Sequence, residues 1–465
     1  YAAIMLLLLA ETAIVGGLHR DIRSALKRTS WTQRLLAIYL LLTWISALLS
    51  PYFPDTVIGV GRYEGALTIT IYCACFFFVR AYGKADKVLI AAMALSVSGF
   101  CVICIIQLYG GNPFGLYPAG YNYADAYKAY SGAYLGTIGN VDLVAAFLCM
   151  MIPACWATIL RSGDRQRFYL LAPLTLALFV LIKMDVLAGF VGVFGGAAVS
   201  VAVIAPMEKR LRRTLAMALL AVALAMLAVV YFADLGGMFH ELHAILHGNA
   251  EGGFGSGRLH IWKGVLQRVP EHLLFGTGPD TMLYSDIEAF SRYDEVLGGT
   301  IVARIDIAHN EYLNILYHQG ILALASYLGA LIAAAKKWVC GSGQDAVTAV
   351  LGTMLFCYSV QAFFGFSMIM TAPYFYLALA NAIQKRENNN MYSRKIRLLS
   401  LNMILVMLLT LIPAQAKDEA EIDKNEKKIY TITLDGKDGT LGNENRITVN
   451  YSEDHPLSLG NYKFT

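Results

Sequence analysis

Charge is scarce in this chain. Asp, Glu, Lys and Arg together make up 15% of its 465 residues, where a soluble domain carries about 25%. That shortage excludes an ordinary soluble enzyme. The formal net charge is only +4, and the basic residues sit in short clusters between apolar runs, which gives no basis for nucleic-acid binding. A disulfide framework and a zinc centre are also missing. The eight cysteines, Cys73, Cys75, Cys101, Cys104, Cys149, Cys155, Cys340 and Cys357, show no ligand-like spacing and read as small buried hydrophobes. There is no convincing internal repeat of the kind many transporters carry.

What the chain has instead is a succession of apolar runs near 20 residues, each able to cross a hydrocarbon core of about 30 Å. The expected fold is an all-α polytopic membrane protein of about 11–12 transmembrane helices. Spans are predicted at 1–18, 35–51, 66–82, 88–109, 141–160, 168–184, 186–206, 214–232, 311–335, 346–367, 370–384 and 398–413. The intervening clusters, among them Arg20 to Arg34, Arg161 to Arg167, Lys209 to Arg213 and Lys385 to Arg397, fall on one side if the spans alternate. The positive-inside rule makes that side cytoplasmic. The opposite, extracytoplasmic side then receives the 110–140 loop and a large loop at about 233–310. The expected location is the cytoplasmic (inner) membrane of a bacterium, with any site on the extracytoplasmic face.

The two ends stand apart. The chain begins at Tyr1, inside an apolar run and without Met. After a transmembrane domain at 1–390, residues 391–416 join a basic start, a short apolar stretch and Ala414-Gln415-Ala416, the pattern of an anchor helix or a signal peptide. Residues 417–465 form a polar tail with alternating runs at Ile429–Leu434 and Ile447–Tyr451, read as strands of a small extracytoplasmic β-rich tail or, equally, as the start of a neighbouring gene product joined to the chain.

Chemistry is concentrated in the large loop. It carries Gly255-Ser256-Gly257-Arg258, then Trp262, then Phe275-Gly276-Thr277-Gly278-Pro279-Asp280, and it closes on Ala308-His309-Asn310-Glu311. Glycines allow close backbone approach to an anion, and the Arg258 guanidinium can grip phosphate oxygens in pairs. His309, at the start of a re-entering helix, can act as a general base. Arg304 and Asp306, just upstream, can position a diphosphate and orient the imidazole. Gly61-Arg62-Tyr63-Glu64-Gly65 and Gly136-Thr137-Ile138-Gly139-Asn140 repeat the glycine-beside-polar theme. Tyrosines from Tyr117 to Tyr134 crowd the second loop, and Trp262 is placed for the membrane interface. Lys183 and Asp185 lie at a predicted hairpin tip. Each feature alone also fits an ordinary cap, turn or loop ion pair.

Taken jointly, these motifs resemble the O-antigen ligase and O-antigen polymerase superfamily. His309-Asn310, nine intervening residues and Gly320 resemble its His-Asn-x9-Gly signature. Arg258 to Trp262, the Phe275–Pro279 stretch, Gly61–Gly65 and Gly136–Asn140 resemble its other motifs, over roughly residues 20–385. Two departures stand out. Gly320 leads into Ile321-Leu322-Ala323 rather than a Gly-x-x-Gly-Thr-Thr continuation, and Lys183 stands where a second arginine is common.

The resemblance implies a membrane glycosyltransferase using an undecaprenyl-diphosphate-linked glycan donor, with no cofactor and no metal. Arg258 and His309 would be catalytic, the first on the donor diphosphate, the second on the acceptor. Arg62, Arg304, Asn310, Lys183, Asn140 and Gly320 would contribute to substrate binding. The acceptor would be a cell-surface glycan, lipid or protein. A ligase leads this reading. A polymerase of lipid-linked repeat units uses the same constellation, and a polysaccharide-lipid transporter is the alternative from another class.

Overall fold

The computed structural model describes residues 29–82, 87–116, 136–161, 165–184, 186–205, 208–235, 237–249, 257–287, 290–294, 299–303, 305–341, 346–383, 430–435 and 446–451. The chain divides into two units, Tyr1–Pro413 and Ala414–Thr465. In chain order the α-helices longer than four residues are α1 (Trp31–Leu49), α2 (Ala66–Tyr82), α3 (Lys87–Leu108), α4 (Val141–Arg161), α5 (Leu171–Met184) and α6 (Gly196–Ile204). There follow α7 (Lys209–Phe232), α8 (Gly237–Leu246), α9 (Arg258–Arg268), α10 (Glu311–Gly341), α11 (Ala346–Gln361) and α12 (Ala372–Ala382). Strands β1 (Phe290–Asp294) and β2 (Gly299–Ala303) pair antiparallel. In the second unit β3 (Tyr430–Asp435) pairs antiparallel with β4 (Arg446–Tyr451).

Every predicted span that falls on described residues coincides with a helix. Among the described residues, five helices are long and apolar enough to cross a membrane, and several shorter apolar helices accompany them. The predicted spans at 1–18 and 398–413, and the anchor or signal-like segment 391–416, lie outside the described residues. Three spans differ in detail. The 186–206 span is broken by a π-helical turn at Val191–Gly195 before α6. The 346–367 span ends early, at Gln361, so residues 362–371 leave the helix and carry Phe366 to the interior. The 311–335 span extends to Gly341 and is kinked at Gly320.

Burial sorts the helices. α4 is apolar on every side and 83% of its most apolar stretch is buried, so it runs through the core. It packs on α11, and its Leu148 and Met151 share one core with Phe76, Phe100, Tyr358 and Phe375. α7 is the opposite case, with 6% of its apolar stretch buried. A helix so hydrophobic and so exposed is suited to lipid rather than water. The cysteines follow the same logic, with all but Cys340 buried.

Among its described residues the predicted large loop, 233–310, holds α8, α9 and the β1–β2 hairpin, so the fold is mostly but not wholly helical. The Phe275–Asp280 stretch is laid against the kink in α10. Thr277 N donates to Tyr317 O at 3.0 Å, Gly278 N to His318 O at 2.8 Å, and Ile321 N to Leu273 O at 2.8 Å. The end of α1 closes the same junction: Ser46 Oγ donates to His318 O at 2.8 Å and Ser50 Oγ to Thr277 O at 2.6 Å. Gly320 makes the kink possible. It sits at φ 83, ψ 176, backbone that only glycine adopts readily, and a Cβ there would lie 2.3 Å from Leu274 O.

Candidate functional site

The site grows from the four residues that precede and open α10. Asn310 caps the helix, its Oδ1 accepting from Tyr312 N at 3.0 Å and Leu313 N at 3.1 Å. Glu311 is buried and its carboxylate is held by Tyr327 Oη at 2.5 Å and Tyr358 Oη at 2.9 Å, while its backbone N donates to Ala362 O at 2.9 Å. From the other side Trp262 Nε1 donates to Ala308 O at 2.8 Å. Trp262 therefore fastens α9 to this segment. Clamped between these bonds, His309 is forced to φ 48, an uncommon conformation for any side-chain-bearing residue.

The strained backbone presents the imidazole to Asp142. His309 Nδ1 lies 3.5 Å from Asp142 Oδ2, and Arg258 Nη2 donates to Asp142 Oδ1 at 3.0 Å. All three side chains are mostly enclosed, at 26%, 14% and 18% exposure for His309, Asp142 and Arg258. Gly257, at φ 81, lets the chain turn directly into α9 so that Arg258 is its first residue. Asp142 occupies the first turn of α4, where the helix N-terminus favours a negative charge. The turn before it is anchored, with Gly136 N donating to Gln107 Oε1 at 2.9 Å, and Asn140 Oδ1 caps α4 by accepting from Leu143 N at 3.2 Å.

Phe366 links this cluster to a second one. The His309 ring meets Phe366 edge-on at 5.2 Å, and the Arg62 guanidinium lies 4.8 Å from the same ring, a cation–π distance. Arg62 Nε and Nη2 donate to the two oxygens of Asp306 at 2.9 and 3.2 Å. The glycine-rich loop that carries Arg62 is tied down by Asp280, whose Oδ2 accepts from Gly61 N at 3.1 Å, Arg62 N at 2.8 Å and Glu64 N at 3.3 Å. Arg62, Asp306, Glu64, Asp280, Glu311 and His318 all line one cavity of about 60 Å³, room enough for water. Glu64 Oε1 accepts from Tyr72 Oη at 2.8 Å and Ile369 N at 2.9 Å. Burial pushes the Glu64 carboxyl up to about 8, against the opposing pull of those two hydrogen bonds. Among the described residues no three His, Cys, Asp or Glu side chains are grouped to hold a metal ion.

The structure thus brings Arg258 and His309 together and sets Arg62 one aromatic ring away. Asp306 does not orient the imidazole; it is taken by Arg62, and Asp142 stands at His309 instead. Asn310 and Asn140 use their side-chain oxygens as helix caps, and Gly320 acts as a backbone break. Lys183 is exposed in the last turn of α5. Arg304, Asp185 and the Tyr117–Tyr134 run lie outside the described residues. Sequence reasoning missed Asp142 as a partner, along with Asp280 and Glu311. A carboxylate placed at the head of an apolar span was the one signal for Asp142.

With this geometry in place, the chain can be set beside known families. Residues 172–328 match the O-antigen ligase family model. The resemblance to the O-antigen ligase superfamily is shown over that stretch, which contains Lys183, Arg258, His309, Asn310 and Gly320. Arg62, Asn140 and Asp142 lie before it, so their place beside the motif rests on the fold. No curated protein matches the chain. At the level the family sets, the chain is similar to multi-pass membrane proteins of the O-antigen ligase and polymerase type, a class that implies a lipid-linked glycan and a glycan acceptor.

Proposed function

We propose that this protein is an extracytoplasmic glycan ligase, transferring a glycan from undecaprenyl diphosphate to a hydroxyl of a cell-surface acceptor. The observation that carries the proposal is the convergence of Arg258 and His309 on one carboxylate, that of Asp142, which opens α4 116 residues before Arg258. A diphosphate is a good leaving group once its charge is met, so the chemistry needs a placed cation and a base rather than a covalent intermediate. Arg258 is the cation. His309 takes the acceptor proton on Nε2, since Nδ1 faces Asp142. The acceptor oxygen bonds to the anomeric carbon as the bond to the diphosphate oxygen breaks, and the electron pair leaves with the lipid diphosphate. Arg62, already paired with Asp306, supports the framework of the site, and Arg304 and Lys183 are further candidates for phosphate contact.

The test uses purified protein in liposomes with a short glycan on undecaprenyl diphosphate. Transfer only when a cell-envelope extract is supplied supports the ligase. Growth of the lipid-linked chain without acceptor would make the protein a polymerase, and movement of the intact donor between leaflets without any transfer would make it a transporter.

A further inference from the structure

Asp142 has two neighbours and satisfies only one of them. Its Oδ1 holds Arg258 Nη2 at 3.0 Å, whereas Oδ2 lies 3.5 Å from His309 Nδ1, beyond a good hydrogen bond. The consequence is visible in the buried polar atoms: His309 Nδ1 and Arg258 Nε both lack a hydrogen-bond partner. Buried donors are seldom left this way in a resting structure, and each such atom calls for an explanation. Two of the unsatisfied buried atoms thus lie on the residues that would receive the substrates, with the carboxylate between them closed on Arg258 and short of His309.

We infer that Asp142 is a positioning residue that couples donor binding to activation of the base. This rests on the diphosphate reading of Arg258 given above. A diphosphate carries more negative charge than one carboxylate and offers phosphate oxygens that fit the guanidinium fork. On arrival it displaces Asp142 from Arg258. The released carboxylate closes on His309 Nδ1–H, fixes the tautomer with Nε2 open, and stabilises the imidazolium formed when Nε2 takes the acceptor proton. Without donor, Asp142 remains committed to Arg258 and the imidazole lacks its orienting partner. Acceptor activation therefore waits for the lipid diphosphate.

The experiment compares wild type, Asp142→Asn, Asp142→Glu, Arg258→Ala and His309→Ala with Asp142→Asn/His309→Ala, as full-length chains in nanodiscs. Binding is measured with undecaprenyl diphosphate carrying no sugar, and turnover with the glycan-loaded donor. Asp142→Asn removes a competitor for Arg258, so it should bind undecaprenyl diphosphate more tightly, by about threefold or more, while kcat falls by on the order of 10²-fold. Asp142→Glu should recover part of the lost turnover. In the His309→Ala background, Asp142→Asn should still tighten binding but cost no further turnover. Weaker binding in Asp142→Asn would mean that Asp142 only props Arg258, and unchanged kcat would mean that it does not serve the base; either overturns the inference. If Asp142→Asn fails to fold, Asp142→Glu carries the test, and turnover no better than His309→Ala counts against the coupling. Wild-type binding in Arg258→Ala would instead sink the diphosphate reading itself.

Discussion

Arg62 grips both oxygens of Asp306, at 2.9 and 3.2 Å. Arg258, by contrast, gives its carboxylate a single Nη2 contact at 3.0 Å. The two arginines are therefore unequal. A guanidinium already closed on a fork of carboxylate oxygens has little left for phosphate, and a singly engaged one retains an edge to offer. Arg258→Ala should lower kcat by on the order of 10²–10³-fold, the loss typical of a donor aimed at developing charge. Arg258→Lys should recover little of it. Arg62→Ala should reduce thermal stability as well as transfer, because it strands Asp306 in a polar cavity, and adding Asp306→Ala should restore part of that stability. A double-mutant cycle on melting temperature checks this. Strict additivity would show that the pair does not hold the site.

Glu64 provides a pH signature. Both hydrogen bonds it accepts fall on Oε1, which leaves Oε2 to carry the proton that burial favours. Its carboxyl is raised from 4.5 to about 8, so the folded protein keeps a proton that the unfolded chain releases. The sign follows from linkage: Glu64's contribution to stability is complete below pH 4.5, declines between 4.5 and 8, and is gone above that range. Glu64→Gln keeps the Oε1 bonds and the neutral charge. The melting temperature of the variant relative to wild type should be level near pH 4.5, rise toward pH 8 and then plateau. A difference that does not change with pH would show that Glu64 is already ionised.

The kink in α10 is where the phosphate-like glycine motif meets the membrane helix. Gly276 and Gly320 face each other's backbone: a Cβ on Gly276 would lie 2.3 Å from the His318 carbonyl carbon, and one on Gly320 2.3 Å from Leu274 O. Neither obstacle is a flexible side chain. Gly320→Ala should destabilise by roughly 3 kcal/mol or more, through strained backbone and collision together. Thermal melting in detergent measures it. A loss of less than about 1 kcal/mol would mean that the helix straightens at no cost.

How much of this was legible beforehand differs by residue. The helices were readable because an apolar run long enough to span lipid has few other fates. Arg258, His309 and Gly320 were readable because they lie in one local stretch with recognisable spacing. Partners were not. Asp142 is 116 residues from Arg258, and Asp306 is 244 residues from Arg62, so only packing reveals which carboxylate answers which arginine. Asp306 was expected at the imidazole because it is close to His309 in sequence, but in the fold Asp306 turns to Arg62 and His309 to Asp142. The β1–β2 hairpin was hidden because Phe290-Ser291-Arg292-Tyr293-Asp294 is too polar and too short to signal a strand against the loop around it.

His309 combines strain with chemistry, and the two can be separated. Its φ of 48 is costly for histidine and nearly free for glycine. Replacing it with glycine should therefore hold or slightly raise the melting temperature, since the backbone that Trp262 and Ala362 clamp is better suited to the new residue. Turnover should still fall, by on the order of 10²–10⁴-fold, the usual contribution of a positioned base. The vacated space lies against Phe366 and Asp142, an apolar face and a hydrogen-bond acceptor matched to a free imidazole. Adding imidazole to His309→Gly should restore a measurable part of the transfer rate, rising with its concentration, and should do nothing for Arg258→Ala. Full activity in His309→Gly without imidazole would remove the base from the mechanism. A fall in stability together with activity would show that the side chain serves the fold.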